Sequence, residues 1–288
     1  MDFQKRLIRN FQLLMMLVVL PACTLNSFDE LPTTSATSVV TVEATLAIPA
    51  TPQPPVIESD GETADGWQIL AAGIEQRTFE VEGSFAELTA IRFNPNLVTF
   101  RAHYRPQDPL TLRQWQNELA GAVAIINTNF YTAENTVLGL LIADGLVYGQ
   151  SYTDRGGWFG VQNGSAFVRS NINAPFQGEA IEQAVQAFPM LVVDGQQAYT
   201  STAPDRVTRR TAIAQDIEGR IIIMITSQGG ITLTDLSAYL ANSEMGLANA
   251  FNLDGGGSTM LYSGAGGRSP VSFASFDPVP AVLAVYPQ

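Results

Sequence analysis

The sequence predicts an α+β fold, a single domain with a mixed, strand-rich sheet packed by a few helices. Segments rich in β-branched and aromatic residues recur between turn residues, which is typical of strands. Two such segments flank Asp144-Gly145 and Asn163-Gly164, which are strong short-range signals for a β-hairpin. Because strands outnumber helices and hairpins mix with helical connections, α+β is the class that fits best.

The individual elements follow from periodicity and turn chemistry. We expect strands at residues 67–81, 86–104, 122–126, 139–148, 158–168, 190–193, 211–214, 220–226 and 281–286. Helices are expected after the capping box Thr111-x-x-Gln114, at residues 179–188 and at residues 232–241. Residues 221–225, within the segment 220–226, are all apolar, which predicts a strand in the middle of a sheet.

Composition excludes several classes of function. The chain has 288 residues and a net charge of -12, which argues against non-specific binding to nucleic acid or anionic lipid. It has one cysteine and one histidine, so neither an intramolecular disulfide nor a zinc site of Cys and His can form. A Ser/His/Asp triad could use only His103. Acid–base chemistry therefore falls to carboxylates, tyrosines or water.

The amino end resembles a bacterial lipoprotein signal. Lys5, Arg6 and Arg9 precede an apolar stretch at residues 13–20, which is too short for a transmembrane helix. Cys23 follows where the lipidated first residue of a mature lipoprotein would stand. We predict a lipoprotein signal peptide at residues 1–22 and a lipid-anchored protein on an extracytoplasmic membrane surface of a bacterial cell envelope. An ordinary secretory signal with an incidental cysteine is the alternative.

The remainder of the chain divides in two. Residues 23–66 are rich in Thr, Ser, Pro and Ala and poor in aromatics, so they cannot bury enough apolar surface to offset the entropy of ordering. We expect a disordered tether that holds a folded domain of residues 67–288 away from the membrane.

Asp254 and the residues after it form the strongest candidate site. Three glycines (Gly255, Gly256 and Gly257) and Ser258 follow this carboxylate between two apolar segments. Ordering glycines costs backbone entropy, so such a run indicates a close approach of main chain to a ligand. Consecutive amides in a turn favour an anion. A tight turn between two strands is the alternative reading.

Two further groups of polar residues lie beside predicted strands. Asn127 and Asn129 stand where a buried strand stops, a common place for a ligand, although their side chains could instead cap loop backbone. Arg206, Arg209 and Arg210 form the only dense positive cluster of an acidic domain. The planar guanidinium binds two oxygens at once, which favours an oxyanion or carboxylate partner over a solvated loop.

Taken in order, four segments resemble blocks of a known family, the phosphodiester glycosidases. The segments are 127–131 with the hairpin at 138–148, 186–195, 209–213, and 252–259. The resemblance covers roughly residues 67–288. It implies a hydrolase that cleaves the C1–O bond of a sugar-1-phosphate diester in an extracytoplasmic glycan or glycoconjugate, such as an exopolysaccharide.

The resemblance also implies roles for the candidate residues. Arg210, with Arg209, would hold the departing phosphate, and Asp254 would stabilise an oxocarbenium-like centre or activate water. Glycosidases usually employ two carboxylates, and Glu134 or Asp194 is the expected second one. The remaining candidates would bind substrate: Asn127 and Asn129 at sugar hydroxyls, and the amides of Gly255, Gly256 and Gly257 at phosphate, with Ser258 beside them.

The expected partners are a carbohydrate phosphodiester and, through Cys23, a membrane, with no nucleic acid. No cofactor is required, although the Asp and Asn oxygens could serve a Ca²⁺ ion. Two other functions remain open at this point. One is a non-catalytic, lipid-anchored polysaccharide-binding protein, which would not need Asp254 or Arg210. The other is a phosphoesterase that cuts the P–O bond.

Overall fold

A computed structural model describes residues 61–82, 84–267 and 270–288. The predicted signal peptide, Cys23 and all of the predicted tether up to residue 60 lie outside these residues. Residues 61–66, which the sequence assigns to the tether, are part of the fold. The Thr63 N–H donates to the Trp67 carbonyl at 2.8 Å, and Asp65 pairs with Arg92 at 2.9 Å. The folded domain therefore includes residues ahead of the predicted boundary at residue 67.

The described residues form strands and two helices. In chain order the strands are β1 (Gln68–Ala71), β2 (Ile74–Glu80), β3 (Glu87–Phe93), β4 (Val98–Tyr104), β5 (Ala124–Asn127), β6 (Leu140–Ala143), β7 (Leu146–Gly149), β8 (Gly157–Gln162), β9 (Ser165–Ser170), β10 (Gln183–Ala187), β11 (Met190–Val193), β12 (Gln196–Gln197), β13 (Thr211–Asp216), β14 (Ile221–Gln228), β15 (Leu247–Asn252), β16 (Leu261–Ser263), β17 (Val271–Phe273) and β18 (Ala281–Pro287). The helices are α1 (Leu112–Glu118) and α2 (Leu233–Asn242). In this part of the chain, neither helix has the length and hydropathy needed to cross a bilayer.

These strands build three sheets. The largest has the order β1-β2-β3-β14-β13-β15-β11-β12, and the other two have the orders β7-β6-β10-β8-β9 and β17-β16-β5-β18-β4. The strand-rich fold with few helices is as predicted, and β14 is a central strand. The prediction of one mixed sheet is wrong: within the described ranges, the pairings between these strands are antiparallel.

The local signals for hairpins and caps are confirmed. Asp144 and Gly145 join β6 to β7 with φ of 49° and 78°, and Asn163 and Gly164 join β8 to β9 with φ of 50° and 73°. Positive φ at both central residues is what a two-residue hairpin loop of this kind requires. The capping box of α1 is also present, with the Thr111 and Gln114 side chains each bonding the other's backbone.

The helix predicted at residues 179–188 is wrong. Strand β10 occupies Gln183–Ala187 and pairs with both β6 and β8, and all five of its residues are buried. A strand enclosed on both faces loses its alternation of polar and apolar residues. Its apolar positions then coincide with a helical spacing by chance, and the neighbouring strands decide the conformation.

Two sheets meet at the segment that carries Asp254. Strand β15 ends at Asn252 in the largest sheet, and β16 begins at Leu261 beside β5 in another. The buried residues Phe251, Leu253 and Leu261 belong to one hydrophobic cluster together with residues of both sheets. The segment between β15 and β16 is therefore anchored at both ends in the core.

Candidate active site

Asp254 is held at the junction of the two sheets by main-chain hydrogen bonds. Its N–H donates to the Thr128 carbonyl at 2.8 Å, and the preceding Leu253 N–H donates to the Thr211 carbonyl at 2.8 Å. The carboxylate accepts the Gly255 N–H at 2.9 Å and is hydrogen-bonded by the Ser258 side chain. Burial raises the pKa of Asp254 to about 6, despite these two hydrogen bonds, which favour the ionised form. A carboxyl group of this kind titrates close to neutral pH.

Asn127 fastens the Asp254 segment to β5 and β13. Its Nδ2 donates to the Asp254 carbonyl at 2.6 Å, and its Oδ1 accepts from the Thr211 hydroxyl and the Met260 N–H, both at 3.0 Å. The side chain is buried, and both ends of its amide are engaged by protein. Asn127 therefore holds the main chain of Asp254 in place through its carbonyl. The structure does not support the predicted contact of Asn127 with sugar hydroxyls.

Asn129 likewise has a structural partner. Its Nδ2 donates to the carbonyls of Leu138 and Leu140, at 3.2 and 3.0 Å, and so holds the start of the β6–β7 hairpin. Its Oδ1 is buried and has no hydrogen-bond partner among the described residues. Asn129 does not line the cavity described below. Its predicted role in binding sugar is therefore not supported either.

The three glycines serve close packing of the turn. The Gly255 N–H bonds the Asp254 carboxylate, and the Gly256 N–H donates to the Arg209 carbonyl at 2.8 Å. These two amides are therefore not free for phosphate, contrary to the prediction. A Cβ on Gly255 would come within 2.9 Å of that same carbonyl oxygen, and one on Gly257 within 2.8 Å of an Asp277 carboxylate oxygen. Gly256 has φ of 60°, where a side chain would be strained.

Ser258 connects Asp254 to a tyrosine. Its hydroxyl lies 3.1 Å from the Tyr131 hydroxyl and also bonds the Asp254 carboxylate. Burial raises the pKa of Tyr131, so its phenol stays protonated at neutral pH. Ser258 was predicted to bind substrate, and in the structure its hydroxyl orients the carboxylate instead.

Arg210 is a buried cation with a partly compensating carboxylate. Its Nε donates to the Ile231 carbonyl at 2.9 Å, and its Nη2 donates to the Arg206 carbonyl. Asp205 lies 3.4 Å from Nη2 and also accepts the Thr234 N–H at 3.0 Å. Burial lowers the pKa of Arg210, and the Asp205 charge acts in the opposite direction. The guanidinium remains charged at neutral pH.

The Arg209 guanidinium donates its hydrogen bonds to main-chain carbonyls. It donates to three carbonyls: Gly256 at 3.0 Å, Gly257 at 3.3 Å and Ala274 at 3.3 Å. It does not line the cavity that contains Arg210. The predicted contact between Arg209 and substrate is therefore not supported, and the side chain braces the glycine turn.

Asp254 and Arg210 line the same cavity, which has a volume of about 410 Å³. Its full lining is Phe130, Phe188, Pro189, Tyr199, Arg206, Thr208, Arg210, Leu233, Asn252, Asp254, Gly255 and Gly256. A cavity of this size holds a small ligand. A larger cavity, of about 940 Å³, lies elsewhere and is lined by neither Asp254 nor Arg210. The smaller cavity is therefore the candidate active site.

Eight of the lining residues were not predicted as site residues, and among them Asn252 and Arg206 offer polar side chains to a ligand. Asn252 is only 3% exposed, its Nδ2 donates to the Phe188 carbonyl at 3.0 Å, and its Oδ1 has no partner within the described ranges. Its position two residues before Asp254, at the end of β15, was the available signal in the sequence. Arg206 is exposed and forms no ion pair in the part of the chain that the structure describes. Nothing in the sequence distinguishes it from Arg209.

The two predicted partner carboxylates lie outside the cavity. Glu134 is exposed in a turn where its N–H donates to the Thr132 hydroxyl at 3.2 Å. Asp194 is exposed in the turn between β11 and β12, with φ of 50°. Neither lines the cavity, so the structure does not support a pairing of either residue with Asp254.

The same lining residues offer few ligands for a cation. Across the described ranges, no three His, Cys, Asp or Glu side chains come together as a metal-binding group. Calcium takes roughly six to eight oxygen ligands. The cavity supplies one carboxylate and the unpartnered oxygen of Asn252, so it does not fit a Ca²⁺ ion held by protein alone.

The protein is strand-rich, and a partly buried carboxylate residue and a buried arginine share the lining of one cleft. The family model described as phosphodiester glycosidase matches residues 120–286. The chain belongs to the phosphodiester glycosidase family. The matched range contains each residue that lines the cavity.

Solved structures with the same fold are distant in sequence. The catalytic domain of zebrafish N-acetylglucosamine-1-phosphodiester alpha-N-acetylglucosaminidase, auto-inhibited by its pro-peptide, matches with a TM-score of 0.58 and 17% identity, over 76% of this chain and 85% of that one. A hypothetical protein from Synechocystis matches with a TM-score of 0.55 and 17% identity, over 82% of this chain and 64% of that one. Such identities show the fold alone. The comparison with curated proteins gives no match.

Proposed function

We propose that the protein is a hydrolase that cleaves the C1–O bond of a sugar-1-phosphate diester in an extracytoplasmic glycan or glycoconjugate. The observation that carries this proposal is the shared cavity of Asp254, Arg206 and Arg210. Its lining includes one carboxylate residue and two arginines, the residue types that suit a sugar joined to a phosphate. Membership of the phosphodiester glycosidase family and the named zebrafish relative support the same substrate class.

Arg206 and Arg210 would receive the phosphate. Arg206 is exposed and has no carboxylate partner among the described residues, so its paired N–H groups can donate to two phosphate oxygens. Arg210 is fixed by hydrogen bonds and adds a buried positive charge on the same lining. Stabilisation of negative charge that develops on the departing phosphate is the largest contribution such a site can make.

Asp254 would act at the sugar carbon. Its ionised form lowers the energy of an oxocarbenium-like transition state or accepts a proton from the attacking water. Within the described lining it is the only carboxylate. A phosphomonoester leaves well without protonation, so a second carboxylic acid is not required. The unpartnered Oδ1 of Asn252 would accept a hydrogen bond from a sugar hydroxyl or acetamido N–H.

Hydrolysis in ¹⁸O-water tests the reaction. The purified domain is incubated with a panel of sugar-1-phosphate diesters, and the products are analysed by mass spectrometry. We expect no label in the released phosphomonoester, because the water oxygen then goes to C1 of the sugar. Label in the phosphate instead identifies a phosphoesterase, and absence of product across the panel favours a polysaccharide-binding protein. Either of these results would overturn the proposed function.

Arg206→Ala is expected to lower kcat/KM about tenfold, because it removes a charge-assisted contact to phosphate. Arg206 is exposed and unpaired among the described residues, so the free energy of unfolding is expected to change by less than about 0.5 kcal/mol. Steady-state kinetics and urea denaturation measure the two effects. Arg113→Ala, a change at another exposed arginine outside the cavity, is the matched control. Unchanged kinetics for Arg206→Ala would remove this residue from the site.

We also propose that the mature protein is anchored to an extracytoplasmic membrane surface of a bacterial envelope through a lipid on Cys23. The support is the signal-like sequence at residues 1–22, which lies outside the described residues. Cys23→Ser, expressed from the full-length sequence, is expected to shift the protein from the membrane fraction to the soluble fraction. Immunoblots of fractionated cells measure this shift. An unaltered distribution would contradict lipidation at Cys23.

A further inference from the structure

Phe276 is a large aromatic side chain left 79% exposed beside the Asp254 turn. Its N–H donates to the Gly257 carbonyl at 2.7 Å, so its backbone is attached directly to the glycine turn. Gly256, the neighbour of Gly257, lines the cavity. Phe276 therefore lies beside the turn that forms part of the cavity lining. A single exposed apolar residue needs no explanation by itself, so a binding role must follow from its orientation and its position.

One face of the Phe276 ring is covered and its orientation is set. The Arg209 guanidinium carbon lies 3.9 Å from the ring centroid. That guanidinium is itself held by the carbonyls of Gly256, Gly257 and Ala274. The ring thus rests on a braced cation that belongs to the same turn. Its other face is directed to solvent, as the exposure of the side chain requires.

Phe85, the other strongly exposed phenylalanine among the described residues, lacks these features. Phe85 is 97% exposed, and within the described ranges it makes no contact with another ring or a cation. It lies in the connection between β2 and β3 and does not line the cavity. Phe85 is an isolated apolar residue of the surface. Phe276 has a fixed orientation and lies beside the Asp254 turn, and these two properties are those of a recognition surface.

We propose that the open face of Phe276 is a second carbohydrate subsite, which stacks against a sugar ring in the alcohol portion of the diester. This inference rests on the proposed function. A cavity of about 410 Å³ accommodates little more than one sugar and its phosphate. The alcohol portion of the bound diester then extends out of the cavity past the turn beside Phe276. The C–H groups of a pyranose face carry slight positive charge and pack against the negative face of an aromatic ring.

The test compares two substrates that differ only in the alcohol. Both contain N-acetylglucosamine 1-phosphate, esterified either to methanol or to the 6-hydroxyl of methyl mannoside. Wild-type protein is expected to prefer the mannoside diester. Phe276→Ala is expected to lower kcat/KM for the mannoside diester about five- to tenfold, with a change of less than about twofold for the methyl diester. Phe276→Trp, which keeps a stacking face, is expected to retain the preference.

Phe85→Ala is the matched control and is expected to leave both substrates unaffected. Thermal unfolding of each variant verifies the fold. Equal losses on the two diesters, or no loss on either, would overturn the subsite while the proposed function stands. If the wild type cleaves neither diester, the proposed function is judged on the whole panel of sugar-1-phosphate diesters, and it fails if none of them is cleaved. The subsite is then tested by calorimetric titration with mannotriose, and it is overturned unless wild type binds and Phe276→Ala binds at least about fivefold more weakly.

Discussion

Asp254→Asn is expected to lower turnover at least about a hundredfold and yet to stabilise the folded protein at neutral pH. The loss of activity follows from removal of the negative charge at the sugar carbon. The asparagine keeps the shape of the side chain. Its Oδ1 still accepts the Gly255 N–H and its Nδ2 faces the Ser258 hydroxyl, so the turn is preserved.

The gain in stability follows from the raised pKa of Asp254. Its value moves from 3.8 to about 6 on burial, so the folded state binds a proton more tightly than the unfolded state. The stabilisation from this proton is fully present below about pH 3.8 and is lost as the pH rises through about 6. At neutral pH the wild type therefore carries the cost of a buried charge, at most about 3 kcal/mol, which the variant lacks. The difference in stability between wild type and Asp254→Asn disappears at about pH 4.

Urea denaturation at neutral pH and near about pH 4 measures this dependence, and kcat/KM measured across the same range gives the activity. Wild-type kcat/KM is expected to fall as the pH drops through about 6, because the reactive form of Asp254 is ionised. Asp194→Asn is the matched control, since it makes the same change in an exposed turn. Activity in Asp254→Asn close to that of wild type would remove Asp254 from the mechanism.

Arg210→Ala is expected to abolish measurable turnover and to destabilise the protein by about 3 kcal/mol. The activity falls because a fixed positive charge leaves the cavity. The stability falls because Asp205, which is largely buried, loses its ion-pair partner, and the Ile231 carbonyl loses a donor. Urea denaturation and steady-state kinetics measure the two losses.

A double variant separates these two effects. Asp205→Asn removes the carboxylate that Arg210→Ala leaves unpaired, so the double variant is expected to recover at least about 1 kcal/mol of the lost stability. Activity is expected to stay as low as in the single variant. Recovery of activity together with stability would mean that Arg210 acts only through the fold. In that case Arg206 would be the sole cation of the proposed mechanism.

Sequence was sufficient where the structure is decided locally. The turn at Asp144 and Gly145 and the cap at Thr111 each depend on a few neighbouring residues, and both are present as predicted. The cavity lining includes Asp254 and Arg210, which the resemblance to the family had also marked. Short-range chemistry and recognisable blocks therefore gave most of the elements and the centre of the site.

The sequence could not predict which distant residue each side chain contacts in the folded protein. Asn127 is predicted at a strand end, but only pairing between sheets directs its amide to the Asp254 carbonyl. Arg209 and Arg210 are adjacent residues just before β13, yet Arg209 contacts the glycine turn while Arg210 lines the cavity. Arg206 reaches the same cavity through the loop before β13, which has no periodicity to reveal its position.

The passage of the chain from one sheet to another at Asp254 limits where this protein can accept inserted residues. Strands β15 and β16 are hydrogen-bonded into separate sheets. An insertion between them would therefore displace the Asp254 carboxylate or separate the sheets. The turn at Glu218 and Gly219 joins β13 and β14 within one sheet, where a longer connection costs little. Epitope tags and fused domains are therefore best tolerated at this turn, and a single added residue after Asp254 should be enough to silence the site.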